Sequence, residues 1–209
     1  MNKISTTRAE LLAHKSQIAL ARQGRDLLEQ KRTVLMKEFL RVVDSVMQRA
    51  QALQQAAARA TQALGAAEAE AGLEVVRSLA LAARSDLLIN IETVNVMGVR
   101  VPVIEQRTVT RPAAGRGYAL SSAPLVIDEA AAAFEDEVQA ILQLAESELR
   151  LERLAREIQS TSRRLNALDH VLLPRLQAEY HTIQMALDER ERADHFRMKL
   201  VKHAIRNTP

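Results

Sequence analysis

The chain has no cysteine, no tryptophan and only 2% aromatic residues among its 209 residues. The absence of cysteine excludes disulfides, thiolate metal sites and cysteine nucleophiles. The shortage of large rings argues against a compact globular core, because a core of this size usually needs more of them to fill its volume. Ala, Leu, Glu, Arg and Gln dominate instead, which is typical of long helices that pack along a narrow seam.

Long apolar runs are also missing. No stretch of about 18 apolar residues occurs, so the sequence predicts no membrane-spanning helix. The first residues are polar and carry no apolar signal-peptide core. We therefore expect a cytoplasmic protein.

The net charge of +3 conceals an asymmetry along the chain. Residues 1–60 hold 11 basic and 5 acidic side chains, residues 61–149 hold 6 and 13, and residues 150–209 hold 12 and 8. The two ends are therefore basic and the middle is acidic. If the ends lie side by side, one end of the molecule is basic and the other is acidic.

Apolar residues recur at spacings of three and four in both terminal parts, which indicates helices that pack along a heptad seam. The N-terminal seam consists of Leu11, Ile18, Ala21, Leu28, Leu35, Phe39, Val42, Val46 and Leu53. The C-terminal seam consists of Leu144, Leu151, Leu154, Ile158, Leu165, Leu168 and Leu172. Past Pro174 the seam resumes in a shifted phase, which is typical of a stutter, at Leu176, Tyr180, Ile183 and Leu187.

Polar residues and one proline interrupt these seams. The N-terminal seam is interrupted by His14, Arg25, Arg32 and Arg49. We interpret Arg25 and Arg32 as snorkelling, with their guanidinium groups at the surface. Pro174 removes one backbone hydrogen bond and crowds the preceding turn. Because the apolar stripe continues on both sides of it, we predict one kinked helix and not two separate helices.

The middle of the chain has a different pattern. Residues 61–84 are Ala-rich and helix-prone, with Gly65 and Gly72 as weak points. Residues 89–104 alternate β-branched residues about a glycine, which predicts one or two short strands. The simplest arrangement is a hairpin that turns around Met97-Gly98, with Pro102 confining its strand to a sheet edge.

A loop is predicted over residues 110–124, with helix restarting near Asp128. The loop carries the turn-forming residues Thr110, Pro112, Gly115, Gly117, Ser121, Ser122 and Pro124. The predicted fold class is mainly α: a long antiparallel two-helix coiled coil with a short β-hairpin in its middle segment. The predicted divisions are an N-terminal long helix (1–85), a hairpin and loop segment (86–127) and a C-terminal long helix (128–209).

A search for catalytic motifs finds none, so we predict no enzyme activity on this chain. Neither a Walker loop, a dinucleotide fingerprint, a zinc-protease motif nor a nucleophile elbow is present. Arg116 between Gly115 and Gly117 lacks the lysine-serine of a phosphate loop. The five histidines are not spaced as metal ligands, so we expect no metal and no cofactor.

Three separated motifs carry a family resemblance. The first comprises Thr7-Arg8, Leu27-Leu28, Lys31-Arg32 and Phe39, the second runs from Val96 to Pro102, and the third runs from Thr161 to Pro174 and continues at 187–192. In this order they cover nearly the whole chain, which resembles the D subunit of the V-type and A-type rotary ATPases. Two residues depart from that family's pattern, namely Glu29, where lysine is common, and Thr33, where aspartate is common.

The resemblance implies a non-catalytic central stalk that turns inside a ring of catalytic and nucleotide-binding subunits. It also implies a small partner, the F subunit, together with a C subunit that links the stalk to the membrane ring. Contact with the stator ring is predicted for Arg163, Arg164, Asn166, Arg190, Arg192, Lys199, Lys202, Lys31 and Arg32. Contact with the F subunit is predicted for Val94, Val96, Met97, Gly98, Val99 and Val101.

Two other classes fit the composition. A basic helical-hairpin scaffold or nucleic-acid-binding coiled coil fits a pI near 9.5, but acidic residues are interleaved and few aromatics could stack on bases. A membrane-shaping coiled-coil dimer is also compatible with long basic helices, but it leaves the β-rich insert without a purpose. Co-purification with ATPase subunits distinguishes these classes.

Overall fold

Helices form most of the chain in the computed structural model. The described residues are 6–84, 87, 89–105, 109–118 and 123–206, and the side chains of 113 and 203–206 lie outside that description. In chain order the elements are α1 (Arg8–Ala71), α2 (Leu73–Ala82), β1 (Ile91–Val96), β2 (Val99–Ile104), a 3-10 turn (Ala113–Gly115), α3 (Leu125–Ala167), a π turn (Leu168–Leu172) and α4 (Leu173–Arg206). The predicted fold class, mainly α with a β-hairpin in the middle, is confirmed.

The chain divides into two compact units. One consists of Met1–Val34 and Ile158–Pro209, and the other of Leu35–Glu157. In each unit, part of α1 packs antiparallel against part of the C-terminal helical run.

In the first unit, ion pairs mark the antiparallel alignment. Arg8 pairs with Glu191, His14 with Glu179, and Arg25 lies 3.9 Å from Asp169. The numbers rise along α1 and fall along its partner, as antiparallel pairing requires. The buried seam positions are Ala21, Thr161, Leu165, Leu173 and Ile183.

In the second unit, the buried side chains of α1 become smaller toward its C-terminal end. Leu35 and Leu154 are fully buried at one end. Further along α1, small side chains replace them, because the buried positions are Ala56, Ala60 and Ala67. Ala67 packs with Ile127 and Ala130 of α3 in a cluster that also includes Val76 and Leu79 of α2.

Two of the polar residues that interrupt the N-terminal seam, Arg49 and Arg25, make hydrogen bonds. Arg49 donates to the backbone carbonyl of Gln143 at 2.6 Å, across the second unit. Arg25 donates twice to Asp26, from Nε at 2.9 Å and from Nη2 at 2.6 Å, and its side chain is 39% exposed. The predicted snorkelling of Arg25 is therefore confirmed.

The helical run is continuous through Pro174, as predicted. The Leu173 N–H donates to the Leu168 carbonyl, five residues back, so the turn before the proline is a π turn. Such a turn contains one residue more than an α turn. The buried position consequently moves one residue along the chain. Leu172, a predicted seam residue, is 40% exposed, and Leu173 is buried at 7% exposure. The prediction for Leu172 was wrong, while the shifted seam from Leu176 to Leu187 is confirmed.

The hairpin forms as predicted. β1 and β2 pair antiparallel with Val96 opposite Val99, which leaves a two-residue turn. Both turn residues have positive φ, 54° at Met97 and 85° at Gly98, as in a type I′ turn. The Gly98 N–H donates to the Asn95 side chain at 2.8 Å, which fixes the turn.

The N-terminal long helix ends before the predicted boundary at residue 85, and the C-terminal helical run begins before the predicted start at residue 128. Gly72, at φ 84°, separates α1 from α2, whereas Gly65 stays inside α1. The second long run begins at Leu125, three residues before the predicted Asp128. Pro124 precedes its first turn, where a missing N–H costs nothing, and its carbonyl accepts from Ile127 at 3.0 Å. Two predicted loop residues, Ser121 and Ser122, lie outside the described residues.

The π turn can be tested by a pair of substitutions. Leu173→Ala should lower the free energy of unfolding by about 2 kcal/mol or more, because it opens a cavity in a buried seam. Leu172→Ala removes a half-exposed side chain and should cost less than about 1 kcal/mol. Urea denaturation followed by circular dichroism measures both. Equal losses would contradict the shifted phase.

Candidate functional site

A buried histidine lies in the first unit between α1 and α4. His14 is 8% exposed, with Nδ1 3.1 Å from the Glu10 carbonyl oxygen and Nε2 3.3 Å from Glu179 Oε2. The two ring nitrogens therefore each lie close to an oxygen, one on α1 and one on α4. Arg175 donates from Nε to the other oxygen of Glu179 at 2.9 Å. Glu179 therefore contacts α1 through His14 and its own helix through Arg175.

These contacts hold Glu179 in its ionised form. The hydrogen bond from Arg175 is the largest influence and lowers the pKa of this carboxyl group. Partial burial opposes this effect, while the hydrogen bond with His14 and the electrostatic contributions of Arg175 and His14 lower the pKa further. The net shift is downward from 4.5.

This lowered pKa predicts acid sensitivity of the first unit. A carboxyl group whose pKa falls on folding stabilises the folded state above its unfolded pKa, and that stability is lost as pH falls through the folded value. Thermal melts should therefore show a loss of stability as the pH falls below about 4.5. Glu179→Gln should flatten that loss, whereas the exposed control Glu189→Gln should leave it unchanged. An equally steep acid loss in Glu179→Gln would refute the assignment.

The predicted stator-contact residues all belong to the first unit. Seven of them are exposed, and they are Arg163, Arg164, Asn166, Arg190, Arg192, Lys199 and Lys202. Lys31 and Arg32 are half-buried on α1. Arg190 donates to the Thr6 carbonyl at 2.8 Å and to the Thr6 hydroxyl at 2.6 Å, so part of its donor capacity is used within the chain. Contact of these residues with a stator stays a prediction.

The two residues that depart from the family pattern lie together on α1. Glu29 and Thr33 line a shallow groove with Asp26, Gln30 and Val34. Two carboxylates therefore face this groove.

The hairpin residues predicted to contact a partner divide into two sets. Met97 and Val94 are 53% and 46% exposed, Gly98 is exposed and Val96 is half-buried. Val99 and Val101 are buried, at 7% and 1% exposure. The two buried valines anchor the hairpin within its own chain, so the side-chain surface offered to a partner lies on β1 and the turn.

One polar cluster was missed by the sequence interpretation. It joins the loop at 109–118 to α3, and we call it the loop network. Arg116, 5% exposed, donates to Glu135 from Nε at 3.2 Å and from Nη2 at 3.0 Å, and from Nη1 to Asp128 Oδ1 at 2.9 Å. The Tyr118 hydroxyl donates to the same Asp128 oxygen at 2.6 Å. Arg111 donates from its backbone N–H to Glu135 at 3.1 Å.

The charges of the loop network stabilise each other. Burial raises the pKa of Glu135, but hydrogen bonds from Arg116 and Arg111 and their charges outweigh it, so the net shift is downward. The pKa of Asp128 is lowered chiefly by the Tyr118 hydroxyl and further by Arg116, against some burial. The hydrogen bond to Glu135 raises the pKa of Arg116. All three groups are therefore ionised at neutral pH.

The loop network also reaches α2. Arg111 Nη1 donates to the Ala83 carbonyl just past the end of α2, at 3.1 Å. Gly117 has φ 81°, and a Cβ there would lie 2.5 Å from the Ala82 carbonyl oxygen. Only glycine fits this close approach. Gly117, which has no phosphate-loop context in the sequence, thus allows the loop beside Arg116 to approach the end of α2.

One sequence signal could have indicated the loop network. Asp128 and Glu135 are seven residues apart, so both lie on one face of α3. On this face Glu135 is buried and Asp128 is half-buried. Acidic residues on a buried face require cationic partners. The partner could not be identified, because it comes from a loop and not from a helix with its own periodicity.

The loop network can be tested by a double-mutant cycle. Arg116→Met leaves the buried Glu135 with less compensation and should cost about 3 kcal/mol or more. Replacing Arg116 and Glu135 together by Met removes both charges and should cost less than the sum of the single variants. Urea unfolding gives the three values. Additive losses would mean that the pair is not coupled.

Within the described parts of the chain, no group of three or more His, Asp or Glu side chains could hold a metal ion. No described helix is long and apolar enough to cross a membrane. The arrangement instead provides paired helices, a cationic surface in one unit and an anchored hairpin in the other. These features define a mainly helical protein with long N-terminal and C-terminal helices and a short antiparallel hairpin between them.

Comparison with known proteins identifies the family. The profile of the family described as the D subunit of ATP synthase matches residues 10–203. The chain is 41% identical over 202 residues to the A-type ATP synthase D subunit of Thermococcus gammatolerans, covering 97% of this chain and 94% of that protein. It is 39% identical to the D subunit of Thermococcus kodakarensis with the same coverage, and 36% identical to that of Methanobrevibacter smithii, covering 97% and 87%. The chain belongs to the family of ATP synthase D subunits.

Proposed function

We propose that this chain is the central-stalk subunit of a rotary ATPase or ATP synthase of the V/A type. It transmits torque between the ring that hydrolyses or synthesises ATP and the membrane ring that moves ions. The observation that carries this proposal is the end-to-end match, which covers 97% of this chain and 94% of an A-type D subunit. The paired helices support it, since a seam of interlocked side chains resists bending and twisting.

In this role the chain is a structural component without an active site of its own. ATP binding needs several donors that converge on the phosphates, usually from a glycine-rich loop with lysine or from a helix N-terminus. The glycine pair around Arg116 does not offer them, because that guanidinium is directed at Glu135 and Asp128. We therefore assign ATP chemistry to other subunits of the complex.

The proposed partners follow from the same assignment. The catalytic and nucleotide-binding subunits surround the first unit, the second unit binds the F subunit, and the stalk is linked to the membrane ring by the C subunit. The complex places this chain at the cytoplasmic face, peripheral to the membrane. The proposal includes neither nucleic acid as a partner nor direct insertion into the membrane. The nucleic-acid alternative has little support, since the described hairpin and loop carry almost no exposed aromatic rings.

Torque is proposed to pass through exposed arginines of the first unit. Arg163, Arg164, Arg190 and Arg192 are all exposed, while Leu165 is buried in the seam beside the first pair. Exposed ion pairs are individually weak, so contacts with successive stator positions can form and release. Apolar patches at these places would bind too firmly for a turning shaft.

Replacing these four arginines by Ala tests the proposed function. The complex should still assemble, because no seam residue changes, but ion transport per ATP hydrolysed should fall by about fivefold or more, since each lost contact contributes roughly 0.2–1 kcal/mol. Ion uptake and ATP hydrolysis are measured together in vesicles that contain the whole complex. The matched control replaces Arg59, Arg77, Arg153 and Arg156, which are exposed in the second unit. Full coupling in the first variant, or equal loss in both, would contradict the torque surface.

A further inference from the structure

The hydrogen-bond pattern of the hairpin determines which backbone groups point outward. The Glu105 N–H donates to the Asn90 carbonyl at 3.0 Å, so these two residues form a hydrogen-bonded pair. In an antiparallel ladder such pairs alternate with non-hydrogen-bonded pairs. Val94 opposite Val101 and Val96 opposite Val99 are thus hydrogen-bonded. The pairs in between direct their N–H and C=O groups away from the hairpin.

The two outer edges that result are not equivalent. On β2 the outward residues are Arg100, Pro102 and Ile104, and Pro102 has no N–H to donate. On β1 the outward residues are Ile91, Thr93 and Asn95, each with a donor and an acceptor. The described residues supply no third strand to this sheet. The outer edge of β1 therefore offers a donor and an acceptor at every outward residue to a further strand. The outer edge of β2 lacks the donor at Pro102.

The two strands also differ in exposure, and β1 is again the more accessible strand. On β2, Val99 and Val101 are buried and three further residues are half-buried. On β1, five of six residues are exposed, including Ile91 at 58% and Val94 at 46%. A complete edge with exposed apolar side chains is one that soluble proteins normally protect. Here only Glu92 discourages uncontrolled pairing.

We propose that β1 receives an extended segment of the small stalk partner as a third antiparallel or parallel strand. This inference rests on the proposed function, which supplies that partner. The segment carries β-branched or other apolar residues that extend the Val94 side of the sheet, and a basic residue opposite Glu92. Residues 61–149 hold 13 acidic and 6 basic side chains, so a basic segment is also favoured over longer distances.

Hydrogen exchange on the full-length chain tests this pairing without any substitution. In the free chain, the amides of Ile91, Thr93 and Asn95 should exchange fast, while those of Val94 and Val96 are already slowed by the hairpin. Adding the F subunit should slow the first set by about tenfold or more, because each gains an interchain hydrogen bond. A complex that forms without this protection would overturn the inference and leave the proposed function standing. A wild-type chain that does not bind the F subunit would refute the partner assignment itself.

Two proline substitutions provide the matched comparison. Thr93→Pro removes an outward donor from β1, and Arg100→Pro removes one from β2, while neither position donates within the hairpin. Thr93→Pro should weaken binding of the F subunit by about tenfold, and Arg100→Pro by less than about twofold, as isothermal titration would show. Slow exchange at Val94 in both variants verifies an intact hairpin. Equal effects on binding would overturn the choice of edge. Protection of the β1 amides that grows with concentration of the chain alone would overturn the choice of partner and identify a second copy as the occupant.

Discussion

Two packed helices can bury only a narrow strip of side chains, and the rest of this structure depends on that constraint. Neither unit has a broad core in which register could be set by large rings, since the chain has no Trp and three Phe. Aliphatic seams alone tolerate sliding by a heptad. Polar groups at seam level remove that freedom, because a shifted alignment would leave them buried without partners. His14 with Glu179 sets the alignment in one unit, and Glu38 with Arg150 does so in the other.

The same constraint explains the middle of the chain. Between α1 and α3 the seam is reduced to alanines, so little apolar area is available to hold a loop and a hairpin. The loop network holds this part of the chain by directional hydrogen bonds instead of apolar burial. One buried guanidinium, Arg116, contacts two carboxylates on a single face of α3, and Arg111 extends the contact to the end of α2. Such a network tolerates little rearrangement, which suits a segment that must present a fixed surface.

Most of the fold could be predicted from sequence because burial follows local periodicity. The heptad seams, the continuous run through Pro174 and the Met97-Gly98 turn all depend on residues within a few positions of each other. The phase at Leu172 could not be predicted, because a π turn and an α turn fit the same apolar pattern. Arg116 could not be assigned either, since its partners become neighbours only when the loop folds back. Val99 and Val101 of the predicted partner surface are buried. The period-two alternation indicates which residues share a face of the hairpin, but not whether that face is packed or exposed.

A rotating shaft needs two kinds of contact, and the two units differ in the way this requires. Contacts with a stator must be made and broken in every turn, so they should be weak, hydrated and repeated, as exposed arginines are. Contacts with a subunit that turns together with the shaft need never be released, so they can use rigid, directional backbone hydrogen bonds. The residues predicted to contact the stator lie in the first unit, and the complete strand edge lies in the second. Charge-neutralising changes in the first unit should therefore alter coupling but not assembly. Blocking the edge of β1 should alter assembly but not coupling.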